Sequence, residues 1–290
     1  LEALQAVSAH EALRPVLAGR GQGATVLSAH DRALNLLLAD ETVLSLVAPA
    51  LGNGPGTVVV AGTWPLPWQS GNPVHVGTLT LEGPGARVRF TGAAFWRPGP
   101  HPTVAAVDGA AVATVAGALA AAGSPGGLLP AALGVLGGPD RAYPAGPLAD
   151  LALAGLRPLL AGEWDRAVPR LVGLGPGLTP AGDDLLCGFA CLLTRAGRPE
   201  AGALGAAFGQ LPRTATTLLS RHLLRWAADG VAGEDHLRWT DALLTGSAAS
   251  GFLAPVLAHG ATSGTDWAAG ALLALHYLVG RMNDNGRDAV

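Results

Sequence analysis

The chain has 290 residues, of which 49% are hydrophobic and 13% charged, with a formal net charge of −3. That composition supports a buried core and excludes a broad basic surface, so nucleic acid is not an expected partner. All 18 strong bases are Arg, and the lack of Lys excludes Schiff-base catalysis, a phosphate-loop lysine and a lysine general base.

In chain order, the stretch from Leu1 to Val7 has no basic segment ahead of an apolar run, so no secretory leader is expected. A helix is expected near residues 31–38, carrying Arg32 and Asn35. Between about Thr25 and Thr103, Gly and Pro punctuate short β-branched runs. Residues 58–60, 74–80 and 86–90 have strand length, and Gly83-Pro84-Gly85 reads as a hairpin turn between the last two. The expectation is a small antiparallel sheet or partial barrel, forming a β-rich N-terminal domain of residues 1–103.

Residues 104–290 change to helical spacing and form the second expected domain. The uncharged run from Gly109 to Gly138 raises the question of a membrane span. Gly123-Ser124-Pro125-Gly126-Gly127 cuts it into pieces too short to cross a bilayer, so buried helices and no membrane partner are expected. Helices are predicted over residues 104–122, 147–160, 164–171, 183–196, 213–228, 234–244, 248–258 and 265–279. Residues 139–144 read as a connector, and the polar tail from Asn283 to Arg287 is expected to fray. The fold class is α+β, a β-rich N-terminal part packed with a helical C-terminal part. Cys187 and Cys191 stand four apart in an apolar helical run. They read as small buried hydrophobes, which points to a reducing, cytoplasmic setting.

Two stretches share the spelling Ala/Ser-Gly-x-Asp-x-x-x-Gly: Ala181 to Gly188, and Ser263 to Gly270. Each follows a Gly- and Thr-bearing loop and opens an apolar helix, where free backbone N–H groups and the helix dipole favour an anion. In the first loop, Gly175 and Gly177 allow positive φ and close approach of a ligand, and Thr179 offers a hydroxyl. Asp183 or Asp184 can cap the helix while the other enters a site, orienting an amide or an Arg or holding Mg²⁺. The plainer alternative is a helix cap in which Gly188 permits close packing.

The second loop adds hydroxyls at Thr262, Ser263 and Thr265, beside Gly264 and Asp266. His259 is a general acid or base, or a donor to a local carbonyl. No Ser lies in a nucleophile elbow and no Cys/His pairing has suitable spacing, so covalent hydrolase chemistry is disfavoured. Thr214, Thr217, Arg221 and Arg225 share one face of the predicted 213–228 helix. That face is either solvated or a cleft wall in which Arg213 or Arg221 neutralises an anionic substrate. Arg32 and Asn35 form a third candidate wall, while His222 and His276 read as core or surface residues. The duplication suggests that the two loops face one another across one pocket.

The strings GLGPGLTPAGDDLLCG, GATSGTDWAAG and VLSAHDRALNLL resemble the AllH family, with Ala181 standing where the family pattern has Ser. The resemblance runs from about Ser28 to Gly280. It implies a carbamoyltransferase that interconverts oxalurate plus phosphate with oxamate plus carbamoyl phosphate, working with companion subunits in purine catabolism. On that reading Gly175, Gly177, Thr179, Gly182, Ser263 and Gly264 receive a small anionic substrate, with Arg32, Asn35, Arg213 and Arg221 as further binding residues. Asp183, Asp184, Asp266 and His259 are the catalytic candidates. No organic cofactor is required, and Mg²⁺ at Asp183 and Asp184 is the metal these side chains allow. The competing readings are a non-catalytic scaffold, in which the glycines serve packing, and another small-anion enzyme; the absence of Lys weakens nucleotide binding for the latter.

Overall fold

The computed structural model describes residues 2–19, 21–105, 107–137, 147–247 and 249–287. The expected connector at 139–144 lies outside the described residues. The chain divides into two compact units, Leu1–Gly99 and Pro100–Val290. Strands belong to the first and the long helices to the second, which is an α+β fold.

The first unit contains β1 (Glu2–His10), α1 (Arg14–Ala18), β2 (Gln22–Ala29), β3 (Ala33–Leu38), β4 (Val43–Val47) and β5 (Thr57–Ala61). It continues with β6 (Pro73–Gly77), β7 (Thr80–Gly83), β8 (Ala86–Arg89) and β9 (Ala94–Trp96). Eight strands run β5-β4-β3-β2-β6-β7-β8-β1, and β1 returns antiparallel to β5, so the sheet closes into a barrel. The pairs β4–β5 and β1–β8 are parallel, so the barrel is mixed and not purely antiparallel. β9 lies parallel to β1 at Ser8–His10, beyond the stretch paired with β8.

Alternation builds its core: Leu34, Leu36 and Leu38, Leu44 and Leu46, Val58 and Val60, Val74 and Val76 join one buried cluster with Trp68 and Leu17. The expected helix at 31–38 is therefore corrected to strand β3. Its leucines fall two apart, and β3 is hydrogen-bonded on both sides, to β2 and β4. Tertiary pairing overrides the helix propensity of Ala and Leu there. The expected strand at 74–80 is two strands: the chain turns at Thr78-Leu79, where Leu79 has φ 53°, and β6 pairs with β7. Gly85, at φ 75°, completes the next hairpin, between β7 and β8.

The second unit holds α2 (Gly109–Ala122), α3 (Leu129–Leu136), α4 (Pro147–Ala161), α5 (Trp164–Leu171) and α6 (Ala181–Arg195). After these come α7 (Glu200–Gly209), α8 (Leu218–Ala228), α9 (Glu234–Thr245), α10 (Ser250–Leu257) and α11 (Ser263–Arg287). Every residue of α6 except Thr194 is buried, so α6 is the hub, with α11 as its principal neighbour and α8, α7, α5 and α9 around it. Helix α7 lies where none was expected, and three boundaries differ from expectation by five residues or more. Asp108 caps α2 by accepting from Ala111 N–H at 2.9 Å, so α2 starts at Gly109 and residues 104, 105, 107 and 108 are not helical. Thr217 caps α8 in the same way, which leaves residues 213–217 as a loop. The tail expected to fray continues α11 to Arg287. Among the described residues no helix is long and apolar enough to cross a membrane.

Candidate functional site

The two Gly-Asp stretches occupy equivalent positions at the starts of α6 and α11, and they meet. Thr179 and Ser263 hydroxyls are hydrogen-bonded at 3.0 Å, although 84 positions apart in the chain. A local two-fold relation organises the surroundings. A Cβ on Gly182 would strike the carbonyl oxygen of Leu171, and one on Gly264 would strike that of Val256. Each helix start is thus pressed against the end of the helix before it. Further along, a Cβ on Gly188 would overlap the carbonyl oxygen of Trp267, and one on Gly270 that of Leu185. Leu185 and Trp267 are themselves equivalent positions, so α6 and α11 cross through a reciprocal glycine contact.

The same relation governs the amide hydrogens. Gly182 N–H donates to Leu174 O at 2.8 Å, and Gly264 N–H to His259 O at 2.9 Å. Those two donors are spent inside their own loops. Gly175, at φ 111°, lies against Ala181, while Gly177, at φ 98°, is exposed. The chemistry this centre offers therefore rests mainly on its side chains.

The carboxyl groups divide into two kinds. Asp183 accepts from Gly173 N–H at 2.8 Å and from the Thr216 hydroxyl, with Ser220 as a further donor. Burial raises its pKa, and those hydrogen bonds work in the opposite direction. It fastens the first loop to the segment before α8. Its equivalent, Thr265, does the matching task by accepting from Ser124 N–H at 3.1 Å.

Asp184 sits at the junction, bonded by Ser263 and Thr179, while Asp266 lies against Gly127 and Leu128 and close enough for its charge to act on Asp184. Burial pushes the Asp184 carboxyl well above its usual range; hydrogen bonds from Ser263 and Thr179 oppose this, and the negative charge of Asp266 adds to it. Burial likewise raises Asp266 to about 6, against hydrogen bonds from Leu128 N–H, at 2.6 Å, and from the Thr262 hydroxyl. The Oδ2 atoms of both are buried and, among the described residues, have no hydrogen-bond partner. Among the described residues no Arg or His acts on either carboxyl.

The remaining candidates lie elsewhere. His259 Nε2 is 3.6 Å from Asp235 Oδ2, and its ring sits 4.7 Å from that of His236. Arg221 donates to the backbone oxygen of Arg213 at 3.0 Å, and the Arg213 side chain is exposed. Asn35 lies in the barrel unit, where its amide bonds Ser28 Oγ at 2.9 Å and Ser45 Oγ at 2.6 Å; Arg32 stands exposed just before β3. Both cysteines are free and buried, and burial pushes the Cys191 thiol up to about 12.

Sequence reasoning missed the Gly123–Leu128 segment between α2 and α3. Gly127 lies so close to Asp266 that a Cβ there would overlap the carboxyl group. The Gly126-Gly127 pair was its only signal, and it resembled a simple helix break. Thr216 and Ser220 were also missed, hidden within a predicted helix.

Comparison with known families matches residues 5–95 to the AllH family N-terminal domain and residues 171–275 to oxamate carbamoyltransferase subunit AllH. The second span contains both loops and both Gly-Asp stretches. No curated protein and no solved structure matches the chain. The barrel and the paired helix starts thus each fall within a matched domain, and the chain belongs to the AllH family, whose name points to a subunit of oxamate carbamoyltransferase.

Proposed function

We propose that this chain is the subunit of a carbamoyltransferase that receives a small amide carboxylate, oxamate or oxalurate, at the junction of α6 and α11. The observation that carries this reading is the Thr179–Ser263 contact, which joins two duplicated helix starts above a pair of unsatisfied carboxyl oxygens. Hydroxyl groups on the rim suit a substrate carbonyl whose oxygen gains charge during transfer. The acids behind them suit the electropositive side of the ligand.

In the reaction, a phosphate oxygen bonds to the carbamoyl carbon of oxalurate and the C–N bond to the oxamate nitrogen breaks. The proton released by hydrogen phosphate ends on that nitrogen. Oxamate and carbamoyl phosphate result, and companion subunits complete the enzyme. The test is phosphate-dependent formation of carbamoyl phosphate from oxalurate by the reconstituted complex. Thr179→Val and Ser263→Ala should each lower kcat, and no turnover by the complete wild-type mixture overturns the substrate assignment.

The reciprocal packing of Gly188 and Gly270 favours a second reading, in which the chain is a scaffold and the repeated glycines serve helix contact alone. Asp184→Asn and Asp266→Asn separate the two. A scaffold loses subunit assembly and shows no ligand binding to lose, whereas a binding subunit assembles normally and loses oxamate affinity.

A further inference from the structure

We infer that the junction of α6 and α11 is a binding site for a hard divalent cation, Mg²⁺ or Mn²⁺, held by Asp184 and Asp266 with the hydroxyls of Thr179 and Ser263. The donor set is all oxygen, which selects hard cations over zinc or copper. It comes from two helix starts that meet at the Thr179–Ser263 hydrogen bond, where both hydroxyls donate to Asp184, and Asp266 lies near enough for its charge to act on Asp184. The side chain of Asp266 is fully buried and that of Asp184 is 7% exposed, yet among the described residues an oxygen of each has no protein donor. A buried carboxyl oxygen left unmatched is costly unless a proton, a donor or a cation meets it.

The other buried acid shows the contrast. Asp183 is saturated by Gly173 N–H, Thr216 and Ser220, and takes no part in the cation site. The expected metal pair, Asp183 with Asp184, is thereby replaced by Asp184 with Asp266. The chain has no Lys, and among the described residues no Arg acts on either carboxyl. Thr179 and Ser263 are only part-buried, so a cation reaches the acids from their side by replacing the hydroxyl–hydroxyl bond.

The cation also removes an electrostatic conflict. Two ionised carboxyl groups repel an anionic ligand, whereas one divalent ion bound between them leaves coordination positions that an anionic oxygen can fill. The site itself does not depend on the carbamoyl reading.

Titration of the metal-free full chain with MnCl2, followed by electron paramagnetic resonance of free Mn²⁺, tests the inference without any substrate. Loss of the free-ion signal up to one equivalent, with displacement by Mg²⁺, is the expected result. Asp184→Asn and Asp266→Asn should weaken binding roughly hundredfold, and Ser263→Ala about tenfold, while Asp235→Asn leaves it unchanged. Thermal unfolding with and without Mn²⁺ accompanies each titration, so a misfolded variant is recognised and the Ser263→Ala arm then decides. Retention of the free-ion signal by the wild type, or binding that survives Asp266→Asn or Ser263→Ala, overturns the site. Metal binding without transfer in the reconstituted mixture removes the carbamoyl reading alone.

Discussion

Alanine at Gly188 inserts a methyl group where α6 and α11 touch backbone to backbone. Its carbon would lie 2.8 Å from the carbonyl carbon of Trp267 and 3.0 Å from Ala271 N, with the Trp267 oxygen nearer still. Comfortable carbon contacts need about 3.5–4.0 Å, so the helices must part by roughly an ångström along their crossing. Overpacked cores lose about 1–3 kcal/mol, and a stiff main chain on the receiving side places this change near the top of that range. For a unit of this size about 3 kcal/mol lowers Tm by roughly 6–12 °C. Gly270→Ala meets the equivalent obstruction at Leu185, and the double variant should cost less than the sum because both methyl groups open one interface. Gly117→Ala is the control: it lies inside α2 with nothing within 4 Å of the added carbon. Helix propensity alone should make it about 0.5–1 kcal/mol more stable. Differential scanning calorimetry of the full chain compares them. If Gly188→Ala melts with the wild type, or Gly117→Ala falls as far as Gly188→Ala, the reciprocal glycine contact does not hold the unit together.

Three more outcomes follow from other parts of the molecule. Arg195 is 1% exposed and bonds Asp241 at 2.6 and 2.8 Å and Pro100 O at 2.9 Å, so Asp241→Ala leaves a buried guanidinium without its anion. A loss of about 2–3 kcal/mol in urea unfolding is expected, below a fully buried pair because Asp241 is partly exposed; a change under about 0.5 kcal/mol contradicts the pairing. His236 is held down to about 3 by burial and by neighbouring His259, so below pH 6.5 the unfolded chain binds a proton that the folded chain refuses. Its contribution falls by about 1.4 kcal/mol per pH unit, while Asp266, raised to about 6, has the opposite slope between its unfolded and folded pKa values. The difference between wild type and His236→Phe should therefore shift by about 2 kcal/mol from pH 6.5 to 5, and a pH-independent difference refutes it. In the barrel, Asn35→Ala removes bonds to Ser28 and Ser45 and should cost about 1–2 kcal/mol by urea titration; an unchanged midpoint shows that the cluster is idle.

The helical half was legible because its information is local. Trp164–Leu171 was read to the residue, and the Gly-Asp repeat identified the two helix starts that meet at Thr179 and Ser263. The barrel was harder, since β1, with Ala and Gln among its residues, earns its place from partners far away in the chain. The alternating leucines of β3 also satisfy a helical template, and only pairing with β2 and β4 decides between them. Within the site, both aspartates of the first stretch look alike in sequence. Which is saturated and which faces the junction depends on Thr216 and Ser263, supplied by distant segments. Gly127 was opaque for the same reason: its neighbour Asp266 is far along the chain.

The two related halves of this centre are not interchangeable: the hydroxyls of Thr179 and Ser263 stand where the opposite half has Ala261 and Ala181. The halves differ elsewhere too. One half carries a carboxyl at Asp183 where the other has the hydroxyl of Thr265, and only Asp266 takes the N–H of Leu128. Exchanging residues at those unmatched positions would change the polarity of the centre while leaving the reciprocal glycine crossing of α6 and α11 in place.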